Sequence, residues 1–425
     1  MRNFLQRLKT EKERTAFYAL SLLVILAYHV LYDLSYGDMV STYGGILARG
    51  SEYLPEDRSI WAAILDYSYS HYMTWSSRNI IEACMIVIGR LPNWMYMALD
   101  VALDMQILWC MDELTGMLTG RLHASSGRYL LLGLFAASYP MCVMSTAGWV
   151  ATTMNYTWVL AAGLYVAVAC FRLVERDDNV HDGRRFVPSY LLALAASFYA
   201  FNHELFAGFF FIFFITLLIY ILTNNALRDE PAHLKLNPAA YAFPAIDVIE
   251  LIFIARCPGN SARRIAEAND YLMEYFGYSI WQKLEEGLIC LLKTLRYAWP
   301  TALILAAILI AALIQAAGSR DTQGEDRRLS DRLPELILIA GSLTAGLATR
   351  VILGFSLAFM LSGERTSIFL VFDLMLIGMA VYEKRIAKGA DELPARSRWL
   401  KPACLLLIAV LVLNNLLMIH SGVRF

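Results

Sequence analysis

Residues 16–32 read AFYALSLLVILAYHVLY, directly after a segment, 2–14, that carries Arg2, Arg7, Lys9, Lys12 and Arg14. The apolar run approaches the roughly 20 residues that a helix needs to cross a bilayer. The basic flank is the charge arrangement that holds a chain end in the cytoplasm. A cleavable signal peptide would have a shorter apolar core and a small-residue cleavage site. The run is therefore expected to be a permanent first helix that also directs insertion.

The rest of the chain repeats this pattern. Of its 425 residues 58% are hydrophobic and 17% charged, and the mean hydropathy is +0.50. Soluble domains are nearer about 45–50% apolar and about 25% charged. A soluble enzyme and a disordered chain are thereby excluded. The net charge of −1 leaves no basic excess for a nucleic acid. The apolar segments are continuous rather than alternating, which excludes a transmembrane β-barrel. An aromatic content of 12% suits interfacial belts.

The fold class expected is an all-α polytopic membrane protein, one transmembrane domain over 1–425, with about eleven spans (range ~10–13). They fall near 15–33, 93–112, 128–146, 154–173, 188–202, 204–223, 239–255, 296–317, 334–354, 366–383 and 401–419. An amphipathic interfacial helix is expected at 76–90. Spans five and six nearly fuse at Asn202-His203-Glu204, as a tight hairpin or one broken helix. With the N-terminus inside, the inside segments hold 23 of the 36 Lys and Arg, and the C-terminus lies outside. The two longest outside loops, 34–92 and 256–295, hold most of the external charge, which suggests a site at the outer membrane surface. Cys84, Cys110, Cys142, Cys170, Cys257, Cys290 and Cys404 show no ligand spacing and read as buried hydrophobes; a Cys257–Cys290 disulfide is a minor alternative.

Several external residues can carry chemistry. Asp33 and Asp38 stand just beyond the first span, where a carboxylate's pKa can rise toward that of a general base; the alternative is a pair of turn aspartates. Arg78, in Trp75-Ser-Ser-Arg78, either pairs with Glu82 one turn on or holds a phosphate. Trp149, Asn155 and Tyr156 form a polar aromatic turn able to line a sugar site or to anchor the helix at the interface. His203-Glu204 either caps its hairpin or helps build an acceptor site. Pro258-Gly259-Asn260 is a turn and helix-stop signal with Arg263 just beyond, an arrangement that can bind an anion. Arg365 adds a cation at the membrane edge. Inside the spans, Arg350 and Asp373 can pair with each other. Asp100 and Asp104 form an i,i+4 acidic pair with no evident role. Walker A, HExxH, nucleophile-elbow and dinucleotide-binding motifs are absent. No metal-ligand cluster is visible, so no cofactor is called for; a divalent metal would lack such a cluster.

Four pieces in order carry a resemblance: Tyr36-Gly-Asp38, Trp75-Ser-Ser-Arg78, Trp149 to Asn155-Tyr156, and Pro258-Gly-Asn260 with Arg263. Together they resemble the GT-C type membrane glycosyltransferases, in particular the bacterial group of serotype-converting Gtr glucosyltransferases and a related domain family of unknown function. The resemblance implies a catalytic carboxylate in the first external loop and a sugar donor on polyprenyl phosphate. Asp38 matches that carboxylate, and Asp33 is a substitute at different spacing. Family members often show a second adjacent acid, where this chain has Met39. The implied enzyme is an inverting hexosyltransferase without a metal, at the outer face of a bacterial plasma membrane, modifying a surface glycan or lipid-linked polymer. Arg78, Arg263 and Arg365 would bind the donor phosphate. Trp149, Asn155, Tyr156, His203, Glu204 and Asn260 would shape the sugar and acceptor sites. The partners are then the lipid-linked donor, the glycan acceptor and membrane lipid. The alternatives are a flippase for lipid-linked sugars, favoured by Asp100 and Asp104, and an inactive homologue, favoured by Met39.

Overall fold

The computed structural model describes residues 2–32, 59–89, 91–120, 125, 127–139, 150–176, 183–227, 233–318, 329–357, 363, 365–387 and 400–421. Their helices, in order, are α1 (Arg2–Val30), α2 (Ile60–Thr74), α3 (Asn79–Gly89), α4 (Asn93–Thr119), α5 (Arg128–Ser138), α6 (Val150–Arg172) and α7 (Gly183–Phe201). There follow α8 (Glu204–Leu227), α9 (Ala242–Ala255), α10 (Pro258–Tyr271), α11 (Ile280–Tyr297), α12 (Trp299–Gly318), α13 (Leu329–Val351), α14 (Ile368–Val381) and α15 (Leu400–Ser421). A short antiparallel ribbon pairs β1 (Val174–Arg176) with β2 (Leu234–Leu236), Glu175 opposite Lys235.

A helix stands at each of the eleven apolar runs. Among the described residues, six helical segments are long and apolar enough to cross a membrane: Val150–Arg172, Glu204–Leu227, Pro238–Ala255, Leu333–Phe355, Arg365–Ile386 and Lys401–His420; the bent pair Ile280–Tyr297 and Trp299–Gln315 qualifies together as a seventh. The chain is an all-α, multi-pass membrane protein. In a bilayer a helix satisfies its own backbone hydrogen bonds, which is why apolar runs of this length fold this way. The boundaries follow local chemistry. The Ser279 hydroxyl accepts from the Gln282 N–H while the Gln282 side chain returns to the Ser279 N–H, starting α11. Gly120, at φ 64°, ends α4 in the left-handed conformation that glycine tolerates.

The core sits around α4, buried on several faces, with α1, α6 and α14 against it. This packing gives Asp100 a role. Asp100 Oδ1 accepts from Trp158 Nε1 at 2.7 Å, and Oδ2 lies 2.9 Å from His29 Nε2. His29 Nδ1 donates to the Ile25 carbonyl at 2.8 Å. One carboxylate thus ties α1, α4 and α6 together. Toward the other end of α4, Arg128 meets Asp112 at 3.2 Å and Glu383 at 2.9 Å, with Arg14 of α1 3.9 Å from Asp112.

Residues 76–90 contain α3, whose face with Ile81, Glu82, Met85 and Ile86 is buried in protein. One expected pairing is corrected. Arg350 and Asp373 do not pair. Arg350 donates to the Cys290 carbonyl at 2.7 Å and to the Thr366 hydroxyl, while Asp373 accepts from Ser342. Cys257 and Cys290 are buried and form no disulfide, in keeping with their reading as buried hydrophobes.

Candidate active site

Helices α7 and α8 are separated by two residues only, Asn202 and His203, and this turn organises the site. Phe201 stacks on Phe206 and lies 4.5 Å from Phe210, closing the hairpin from below. Asn202 is fully buried and uses both ends of its amide. Its Oδ1 accepts from the N–H groups of Ile80 and Ile81, at 3.0 and 3.3 Å, satisfying the open first turn of α3. Its Nδ2 donates to the Ser77 carbonyl and to Glu250 Oε2, both at 3.2 Å. The α7–α8 turn therefore holds the segment that leads into α3.

Arg78 is in that segment. Its Nε donates to Glu204 Oε2 at 2.9 Å, its Nη2 donates to Glu204 Oε1, and its Nη1 donates to Asn155 Oδ1 at 2.9 Å. The expected Arg78–Glu82 pair does not form, because Glu82 turns to His71 at 3.1 Å and to the Tyr67 hydroxyl at 3.2 Å. Burial works against the Arg78 charge, and Glu204 more than offsets it, so its pKa stands above the ordinary value.

Asn155 and Tyr156 lie in a π-helical turn, Thr153–Thr157, inside α6. Such a turn inserts a residue and re-aims side chains, and it recurs at functional sites. The Asn155 amide donates back to Ala151 at 2.8 Å, which leaves its oxygen for Arg78. The Arg78 guanidinium lies 5.9 Å from the Tyr156 ring centre, and that of Arg365 lies 6.0 Å from it. Arg365 also donates to the Thr152 hydroxyl at 3.2 Å. His203 meets the Tyr156 ring edge-on at 5.0 Å and Phe369 at 5.5 Å. His203 is fully buried, and neither ring nitrogen has a hydrogen-bond partner among the described residues. Burial, with the Arg78 cation beside it, pushes its pKa down to about 3, so the imidazole is neutral at physiological pH.

Six residues singled out in the sequence, Arg78, Asn155, Tyr156, His203, Glu204 and Arg365, thus converge from four separate stretches of chain. Two others sit at a neighbouring junction. Pro258-Gly259-Asn260 opens α10, with Pro258 in its first turn, where its missing N–H costs nothing. A Cβ at Gly259 would crowd the Trp75 N–H and the Tyr72 carbonyl, so α10 packs backbone to backbone on the end of α2. Arg263 pairs with Glu267 at 2.7 Å and lies 5.2 Å over the Trp75 ring. Asn260 donates to the Ile254 carbonyl at 3.0 Å. Asp33, Asp38 and Trp149 lie outside the described residues. Among the described residues no group of three or more His, Cys, Asp or Glu is placed to hold a metal ion.

Comparison with protein-family models, with curated proteins and with solved structures returns no match. The chemistry of the site is read from its own residues. The guanidiniums of Arg78 and Arg365 flank the ring of Tyr156, and Arg78 is paired with Glu204. Guanidiniums beside an aromatic face and polar amide groups can receive an anion.

Two features go beyond the sequence reading. Asn202 belongs to the hairpin by position, but its service as the cap of α3 depends on a helix distant in sequence. Asp247 and Glu250, both buried in α9, are legible only as acids inside an apolar run.

Proposed function

We propose that this protein is an inverting GT-C type glycosyltransferase that takes its sugar from polyprenyl phosphate at the outer face of a bacterial plasma membrane. The observation that carries this reading is the convergence of Arg78, Asn155, Tyr156, His203, Glu204 and Arg365 at one place, with Trp75 linking it to Arg263. Two of the four sequence pieces behind the resemblance meet there, and a third stands at the neighbouring α2–α10 junction. The finer topology belongs to the same proposal: about eleven spans, a cytoplasmic N-terminus and an external C-terminus.

In this mechanism the acceptor hydroxyl oxygen attacks the anomeric carbon. The bond from that carbon to the phosphate oxygen breaks, and the anomeric configuration inverts. Asp38 takes the hydroxyl proton as general base. Polyprenyl phosphate leaves with the electron pair, and its charge is met by arginine. Arg78, tied to Glu204 and Asn155, sets the shape of the site, and Arg365 stands with it at the Tyr156 ring. Arg263 stands over the Trp75 ring at the neighbouring junction. Tyr156, His203, Glu204 and Asn260, with Trp149, shape the sugar and acceptor sites. A surface glycan or lipid-linked polymer is the acceptor.

The test uses purified protein in nanodiscs with a panel of polyprenyl-phosphate sugars, following release of free polyprenyl phosphate. Release by the wild type that is lost in Asp38→Asn is the expected result. Saturable donor binding without release, equal in both proteins, would replace the transferase with a flippase or an inactive homologue.

A further inference from the structure

Helices α11 and α12 meet at 85° across Ala298. Helix α12 is apolar and exposes Leu303, Leu309, Ile310, Leu313 and Ile314, as a lipid-facing helix would. If α12 crosses the bilayer, α11 runs along its surface. The side chains of α11 sort into three faces at about 100° per residue. One face, with Gly287, Cys290 and Thr294, is buried in protein. A Cβ at Gly287 would strike the Val351 carbonyl, and one at Gly354 would strike the Lys283 carbonyl, so this face touches the end of α13 backbone to backbone. Opposite it runs an exposed apolar stripe, Trp281, Leu288, Leu292 and Leu295, continued by Trp299; Trp281 is 79% exposed. The flank between them carries Gln282, Glu286, Lys293 and Arg296.

We propose that α11 is seated in the membrane–water boundary on the face that carries the candidate active site, its apolar stripe immersed among headgroups and upper acyl chains. A helix with a strong apolar face, a charged flank and low overall hydrophobicity lies in the interface rather than across the bilayer. Past the bend the exposed apolar side chains go on with Trp299 and Leu303 of α12, a helix of high apolarity, and this argues for lipid as the occupant. The seat bears on the site. Arg350 donates at once to Cys290 in α11 and to Thr366, and the Thr294 and Ser367 hydroxyls lie 3.4 Å apart. The depth of α11 therefore sets the position of the turn that carries Arg365. The seat itself rests on the membrane character of the protein and not on glycosyl transfer.

The experiment places the full chain in phosphatidylcholine nanodiscs whose acyl chains are brominated near the glycerol end or near the methyl end. The readout is the tryptophan emission that is lost on Trp281→Phe. Bromine near the glycerol end should quench that component at least about threefold more than bromine near the methyl end. Equal or stronger quenching by the deep bromine would make α11 a spanning segment, and no quenching by either would leave the stripe in water or against protein; both overturn the proposal. Leu288→Asp with Leu292→Asp changes exposed positions only. It should cut the shallow quenching of Trp281 by half or more and speed backbone hydrogen exchange across 280–297, and an unchanged result in both would also overturn it.

Discussion

Arg78 and Glu204, 126 residues apart, form a two-pronged ion pair at the α7–α8 turn, with Asn155 taking the third arm of the guanidinium. Removing one partner strands the other, whereas removing both leaves neither charge stranded. Glu204→Gln should lower stability by about 2 kcal/mol, tempered because the Glu204 side chain is partly exposed to solvent. Arg78→Gln should cost a similar amount, and the double variant should cost less than the sum. A double-mutant cycle on thermal unfolding in detergent measures this; simple additivity would mean that the two side chains do not interact.

His203 gives stability an acid limb. Its pKa falls from 6.5 in the unfolded chain to about 3 in the folded one. As pH drops below 6.5 the unfolded chain takes up the proton first. The stability from the neutral ring is therefore complete above that pH and drains away toward pH 3. Between pH 6.5 and 5 the loss should be about 2 kcal/mol. His203→Phe retains the ring contacts with Tyr156 and Phe369 and should flatten the unfolding profile over this range. A variant profile as steep as the wild type would assign the limb to other groups.

Asn202 acts as a cap supplied from another helix. Asn202→Ala leaves the Ile80 and Ile81 N–H groups without their acceptor and should cost about 1–2 kcal/mol. Asn202→Asp keeps the acceptor and places a carboxylate against Glu250, so it should recover part of that loss at low pH and less at neutral pH. Hydrogen exchange at the start of α3 reports the cap directly, with faster exchange in the alanine variant.

Gly259 and Gly277 separate packing from conformational freedom. Gly259→Ala sets a methyl group against the α2 backbone and should destabilise by about 1–3 kcal/mol. At Gly277 a methyl group would meet nothing within 4 Å, so Gly277→Ala should be nearly neutral. Unfolding midpoints of the two variants, measured side by side, test the difference; equal shifts would remove the α2–α10 contact as the cause.

Asp100 ties three helices from inside the bundle. Asp100→Ala would leave His29 and Trp158 without their shared acceptor and should cost about 3–5 kcal/mol, enough to lower the yield of folded protein. Trp158→Phe removes one hydrogen bond and should cost about 1 kcal/mol. Size-exclusion recovery and unfolding midpoints measure both, and a larger loss for Trp158→Phe would reverse the assignment.

Much of the fold is legible in the residues. Apolar runs and charge clusters mark the helices, because a backbone in hydrocarbon has little choice but to bond with itself. Arg78, Asn155, Tyr156, His203, Glu204 and Arg365 stand out as polar residues at the edges of apolar segments. Their partners do not. Arg78 with Glu82 satisfies the helical spacing rule, yet the side chain reaches Glu204, because Tyr67 and His71 occupy Glu82. An Arg350–Asp373 pair is sound on charge alone, but Arg350 is used to bridge Cys290 and Thr366. The capping box and amphipathic spacing of α11 are visible in the chain as well.

Hydropathy and local charge were enough to specify an all-α chain built for a membrane, where its helices lie, and which polar residues stand at their ends. These are local properties, fixed by apolarity over a span's length and by backbone hydrogen bonding. Packing alone established that Asn202 caps α3, that Asp100 joins α1 to α6, and that Arg78 and Arg365 share the ring of Tyr156. Each of those depends on which helices lie side by side. A carboxylate or amide takes whichever donor that packing brings within about 3 Å, however far away in the chain.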